Sequence, residues 1–251
     1  MKEYLNTVCD IAEQMLKSGA EVHRVEDTLL RMCRAIGADR ADVFIITSSI
    51  VVTVYTESEK AYTQTRRIDA IGTDMERLHR LNDLSRKICG GMMELSEIRE
   101  KFESIMKTSV YPGWLQFLAY GFIGGAFAVF FGGGFLEGIL SFFVGLVLYL
   151  ITYFSEKASF GKIFCRFACS FAASALAYLC YKTGLAPSAD NIIIGNIMVL
   201  IPGIGLTNAL RDLFVGDSIA GLLRLIEAVL IALAIAGGHF LFITLFKGVL
   251  L

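Results

Sequence analysis

Asn196, Pro202, Gly203, Gly205, Asn208, Arg211, Asp212, Asp217, Arg224 and Glu227 are the residues of this chain whose types and placement best suit chemistry. They fall within or beside long apolar runs, where polar side chains are costly and mark a path or a site. Pro202 removes a backbone donor and, with Gly203 and Gly205, interrupts a helix, freeing carbonyls that protein or cavity water must satisfy. Helices broken at membrane depth present their end dipoles to charged ligands and build transport sites. Asn196, Thr207 and Asn208 can hydrogen-bond the polar groups of a small substrate, and Arg211 or Arg224 can pair with its carboxylate. Arg224 and Glu227, spaced i,i+3, can also neutralise each other, and Asp212 and Asp217 read equally well as charges in the headgroup region. Glu137 is expected at the outer interface, and His239 near the outer end of the last span.

A second cluster lies near the N-terminus, in Ser18-Gly19-Ala20-Glu21-Val22-His23-Arg24-Val25-Glu26-Asp27. His23 and Asp27 are i,i+4 on one helix face with Glu26 beside them, which makes His23, Arg24, Glu26 and Asp27 a possible titratable or ligand site. The simpler reading is a charged first helical turn, with acids near the positive end of the helix dipole. Spacing alone favours the simpler one.

Other chemistries lack support. The net charge of -1 gives no basic field for nucleic acid. The six cysteines form no CxxC pair, and no His/Cys cluster has metal spacing, so no cofactor, metal or disulfide framework is expected. The cysteines read as small apolar packing residues. No Walker A pattern is present, and the N-terminus lacks the apolar stretch of a signal peptide.

The elements that must position these groups fall into two halves. Residues 1–110 hold most of the charge and are expected to form a cytosolic α+β domain. Helices are predicted over 4–17 and 20–36, closed by Gly19 and Gly37. The period then changes to two over Val43–Thr47, Ile50–Thr56 and Ala61–Ile68, a three-stranded antiparallel meander broken at Ser48-Ser49 and Glu57–Lys60. Two amphipathic helices follow, Asp74–Ile88 and Glu94–Met106, the second with Leu95, Ile98, Phe102 and Ile105 on one face.

Residues 111–251 are expected to form an all-α transmembrane bundle. The chain is 55% hydrophobic and 19% charged, with mean hydropathy +0.61, beyond the range of an ordinary soluble domain. Five stretches approach the ~20 apolar residues that a bilayer requires: 114–131, 135–154, 163–181, 192–210 and 219–246. Tyr111, Trp114, Tyr149, Tyr153, Tyr178 and Tyr181 dress their ends. Gly121xxxGly125, Ala168xxxAla172 and Ala173xxxAla177 allow close backbone approach. With the N-terminal half inside, the inner flanks carry Arg99, Lys101, Lys107, Lys157, Lys162, Arg166, Arg211 and Arg224, and the outer flanks only Lys182 and Lys247. That bias places the N-terminal domain in the cytoplasm and the C-terminus outside.

Two strings, Ser18–Asp27 with the following TLLRMCRAIG, and Ile201–Glu227 (IPGIGLTNALRDLFVGDSIAGLLRLIE), resemble the threonine/serine exporter family. The second is the more specific, with Pro-Gly, Asn-x-x-Arg-Asp, Gly-Asp and Gly-x-x-Arg elements in the family's order. The resemblance spans the chain and implies a soluble domain before five membrane helices. Full-length members carry a further membrane module, so this chain resembles the split form, in which a second small membrane protein supplies the remaining helices. One such pair is associated with succinate export. The resemblance implies a secondary exporter subunit in the cell inner membrane, acting on threonine or serine or on a dicarboxylate. Alternatives from the residues alone are a membrane-anchored enzyme using His23 and Glu26 as acid and base, and a sensor or scaffold whose soluble domain binds a ligand or partner.

Overall fold

The computed structural model describes residues 1–57, 60–91, 93–108, 111–158 and 160–250, with side chains through 246. Residues 58 and 59 of the expected polar break, residue 110 at the expected boundary and the Lys247 side chain lie outside that description. Contacts divide the chain into two compact units: Met1–Val110 with Ile204–Leu225, and Tyr111–Gly203 with Ile226–Leu251. Residues 204–225 thus fold with the N-terminal part, although in the sequence they run from the end of the fourth apolar stretch into the start of the fifth.

The first unit begins with α1 (Lys2–Lys17) and α2 (Val22–Ala35). Then come β1 (Arg40–Ile46), β2 (Ser49–Tyr55) and β3 (Ala61–Arg67), paired antiparallel in that order. Register sets Val43 opposite Val52 and Thr53 opposite Thr63, whose hydroxyls lie 2.9 Å apart. Alternation sends Ile50, Val52 and Val54 inward. There they meet Leu5, Ile11, Met15 and Leu16 of α1 and Val25, Leu29 and Met32 of α2 in one core. Helices α3 (Met75–Cys89) and α4 (Leu95–Lys107) close it with Leu81 and Ile98. Asp74 caps α3 by accepting the Arg77 amide at 2.9 Å, as an Asp before an apolar-periodic run should. The expected Lys17–Glu13 pair forms at 2.6 Å. Cys9 and Cys33 are fully buried here, and burial pushes both thiols up to about 12, which makes them inert packing groups. Cys89 differs from the expectation, being exposed at the end of α3.

The second unit holds α5 (Gly113–Phe130), α6 (Phe135–Lys157), α7 (Lys162–Lys182) and α8 (Asp190–Leu200). Helices α5 and α6 meet along small residues. A Cβ on Gly125 would lie 2.8 Å from the Gly138 carbonyl, and one on Gly145 would lie 2.6 Å from that of Tyr120, so only glycine permits this approach. Glu137 was expected at the outer interface but is buried, 3% exposed. Its carboxylate accepts the Gly134 backbone amide at 2.7 Å and the Asn191 side-chain amide at 3.2 Å. A carboxylate one turn into a helix finds its donors locally, which is why burial costs it little.

Two further helices follow: α9 (Gly203–Val215), in the first unit from Ile204 onward, and α10 (Ser218–Leu250), assigned to the first unit through Leu225 and to the second from Ile226. The run predicted as one interrupted helix over 192–210 is therefore two, α8 and α9, with the break at Ile201-Pro202. Helices α5, α6, α7 and α10 are each long and apolar enough to cross a membrane, and the bent pair α8–α9 makes a fifth if it counts as one span. The protein is a membrane protein with several apolar helices and a small three-stranded sheet.

Candidate functional site

The corner between α1 and α2 is built by the chain's own chemistry. Gly19 takes φ +95°, the Ala20 amide reaches back to Met15 O at 3.0 Å, and α1 ends in a left-handed glycine turn. A Cβ at Gly19 would lie 2.8 Å from Gly72 O, so the position excludes other side chains twice over, by conformation and by space. The turn leaves the carbonyls of Gly19 and Ala20 without helical partners.

Those carbonyls receive α9 and α10. Asn208 donates its side-chain amide to Gly19 O at 3.1 Å, and Arg224 donates to Ala20 O at 2.7 Å. Arg211 donates to the Glu21 carboxylate at 2.7 Å, with the Glu21 side chain only 14% exposed. Arg224 also faces Asp212 at 3.6 Å, and both are nearly fully buried. Ala220 of α10 enters the core of the unit. The two helices can cross this closely because Gly221 lies against Leu213 and the Ala209 carbonyl, where a Cβ would come within 2.9 Å of either. Gly216, at φ +105°, reverses the chain between them. The result is a clasp in which two backbone carbonyls and a carboxylate at one corner hold three side chains from a helical hairpin.

The two strings singled out in the sequence therefore meet, and most of the expected residues have definite places. Arg224 does not pair with Glu227, as the i,i+3 spacing allowed; it turns to Asp212 and Ala20, while Glu227 in the second unit takes Lys162 at 3.6 Å. Asp27 pairs along its own helix with Arg31 at 2.9 Å, as the charged-turn reading implies. His23 and Arg24 are exposed. Glu26 is half-buried; burial first, then the Asp217 carboxylate, raise its pKa, and His23 opposes them. One Asp217 carboxylate oxygen is buried without a hydrogen-bond partner among the described residues. Gly205 is exposed on α9.

Asn196 belongs to a separate cluster inside the second unit. It is fully buried and donates to Ser141 Oγ at 2.7 Å and to Ile192 O at 2.9 Å, while Ser141 donates to Gly124 O at 2.9 Å. The Asn196 side-chain oxygen, Oδ1, has no hydrogen-bond partner among the described residues. It lies against Gly124, where a Cβ would approach it to 2.8 Å. On α7, Ser170 donates to Ile235 O at 2.6 Å, and Ser174 lies 2.8 Å from His239 Nδ1. The break after Asn196 is sharp: Ile201 is extended, as the residue before a proline prefers, and α9 restarts directly after Pro202.

Sequence reasoning missed the acceptors. A backbone carbonyl carries no residue signature, and only the Ser-Gly pair after an amphipathic helix hinted that such carbonyls would be exposed at this corner. The partners Lys162 for Glu227 and Ser141 for Asn196 likewise lie too far away in sequence for spacing to reveal.

The second unit thus holds a buried asparagine shortly before a helix break, and the first unit holds a buried ion pair. Comparison with known proteins decides what class of membrane protein carries them. The family described as "Putative threonine/serine exporter" matches residues 6–246. The chain belongs to the threonine/serine exporter family. It is accordingly a membrane exporter of small metabolites and not an enzyme. Within the curated relatives of this exporter, a Klebsiella aerogenes protein named "Probable succinate transporter subunit YjjP" is 27% identical over 223 residues, 88% of this chain and 85% of that protein. The Escherichia coli K12 protein of the same name is 26% identical over 234 residues, 92% and 90% of the two chains. The "Threonine/serine exporter" of Corynebacterium glutamicum is 24% identical over 242 residues, 93% of this chain but 49% of that protein. No solved structure matches the chain.

Proposed function

We propose that this chain is one subunit of a secondary exporter that moves a small carboxylate-bearing metabolite out across the cytoplasmic membrane. The cargo is threonine or serine, or a dicarboxylate such as succinate. The observation that carries this reading is the broken α8–α9 pair, with Asn196 buried before the break and the Asn208–Arg211–Arg224 clasp after it. A bundle that served only as an anchor has no use for a buried asparagine and a broken helix among its apolar runs. In this reading Asn196, Pro202, Gly203 and Gly205 belong to the substrate path. Asn208, Arg211, Asp212, Asp217 and Arg224 form its cytoplasmic gate, closing on the α1–α2 corner. Glu227, paired with Lys162, is the candidate proton carrier of the path.

The domain arrangement that goes with it is a cytosolic domain over 1–110 and a transmembrane domain over 111–251 with five spans, the α8–α9 pair counting as one. The distribution of Lys and Arg supports a cytoplasmic N-terminal domain and an outer C-terminus. A reporter that is active only outside the cytoplasm should work when fused after Leu251 and fail near Lys107. Activity of a cytoplasmic reporter at the C-terminus would refute five spans.

A second membrane protein, or a second copy of this chain, is proposed to complete the path. The relatives' name "transporter subunit" supports a partner. Cells loaded with threonine or succinate and expressing this chain together with the small membrane protein of the split form should show efflux that falls to background with either alone. Full export by the purified chain as a monomer in liposomes would overturn the two-component reading.

A further inference from the structure

A cleft of about 230 Å³ opens within the first unit beside the clasp, and Glu21, Arg24, Asn82 and Asn208 bring polar groups to it while Met75 and Leu78 supply an apolar wall. A cleft of this size has room for a small metabolite. Two of its polar side chains are uncommitted: the Arg24 guanidinium and the Asn82 amide have no hydrogen bond or ion pair among the described residues. The other two are members of the clasp, Glu21 through Arg211 and Asn208 through Gly19 O.

We infer that this cleft is a cytoplasmic binding site for a small zwitterion, an α-amino acid, and that its occupant sets the state of the clasp. The carboxylate of such a ligand pairs with Arg24, whose planar fork suits two oxygens, and accepts from Asn82. Its ammonium pairs with the second oxygen of the Glu21 carboxylate, and the body of the molecule lies on Met75 and Leu78. A dicarboxylate fits less well, because its second negative group meets Glu21 with nothing to compensate the repulsion. An amine without a carboxylate leaves Arg24 unpaired. Since Arg211 already draws on Glu21, a bound ammonium competes with it and weakens one of the three links that hold the α9–α10 hairpin. A ligand shifts such an equilibrium only through contacts that differ between its two states, and Glu21 is that contact here.

The inference rests on the export reading, because a clasp matters only if the hairpin gates a path, but its test does not depend on transport. Purified full-length chain in detergent is titrated by calorimetry with L-serine, succinate and ethanolamine. L-serine should bind saturably, with succinate and ethanolamine each weaker by about tenfold or more. Arg24→Gln and Asn82→Leu, both at partly or fully exposed positions, should weaken L-serine by about tenfold, while Lys101→Gln, away from the cleft, leaves it unchanged. Arg211→Gln should tighten L-serine, because it frees Glu21; that gain is a sign that a purely local pocket would not give. Absence of L-serine binding, succinate binding as tight as L-serine, or insensitivity to Arg24→Gln with Asn82→Leu would each overturn the site. If the purified chain shows no L-serine binding while loaded cells that express it still show efflux, the cleft is refuted and the export reading stands.

Discussion

Arg224→Met should unfold the clasp. The substitution keeps an unbranched apolar stem but leaves Asp212 buried, 1% exposed, without a countercharge, and the Ala20 carbonyl without its donor. Breaking a buried pair on one side costs about 3–5 kcal/mol, far more than the net worth of the pair itself. Thermal unfolding of the protein in detergent should show this loss for Arg224→Met. For Asp212→Asn it should be smaller, because Arg224 keeps its hydrogen bond to the Ala20 carbonyl. The double variant Asp212→Asn with Arg224→Met should recover most of the stability, since no charge is then left buried. It should not recover export, because the link to Ala20 O is gone. That split between stability and flux separates a gate from a strut. If Arg224→Met melts with the wild type, the 3.6 Å contact does not hold the hairpin. If the double variant restores flux as well as stability, the pair is only structural.

What the sequence revealed, and what it concealed, follows from the range over which each kind of order is written. Helix ends at Gly19 and Gly37, the alternation of Ile50, Val52 and Val54, the Asp74 cap and the Pro202 break are all local, and each is legible in a few residues. The apolar runs and their small-residue seams are equally plain, because a bilayer and a close helix crossing each demand a composition. The partners of the polar residues were not legible. Asn208 reaches Gly19 across 189 positions and Arg224 reaches Ala20 across 204, and in both cases the acceptor is a main-chain oxygen that any residue could supply. The i,i+3 rule suggested Glu227 for Arg224, but that rule concerns exposed helix faces, where nothing else competes. Arg224 is on the buried face of α10, and there the stronger demand is to satisfy a desolvated Asp212. Glu137 shows the same limit: its position near a helix start was legible, but the Gly134 amide and the distant Asn191 that bury it were not.

Healing the break between α8 and α9 should abolish export while leaving the amount of protein in the membrane unchanged. Pro202 now denies α8 the amide that would continue its hydrogen-bond ladder, and Ile201 stays extended before it. Pro202→Ala restores that amide and removes a helix penalty of about 3 kcal/mol, and Gly203→Ala removes about 1 kcal/mol more. With both changes, residues 190–215 can run as one helix of about 39 Å, at 1.5 Å per residue. A straight helix withdraws the free carbonyls of the last turn of α8 and re-aims α9, so that Asn208 and Arg211 no longer face Gly19 O and Glu21. Efflux from loaded cells, divided by the protein found in the membrane fraction, should fall by about tenfold or more, which is the effect of losing a few polar contacts together. Asn208→Leu should reproduce part of that loss by removing one link of the clasp. Glu227→Gln tests the path separately: a glutamine cannot carry a proton, so gradient-driven export should stop while exchange of substrate across the membrane continues. If the Pro202→Ala, Gly203→Ala protein reaches the membrane and exports at the wild-type rate, the break is a bend of no consequence, and the path must be sought along the Ser141–Asn196 seam instead.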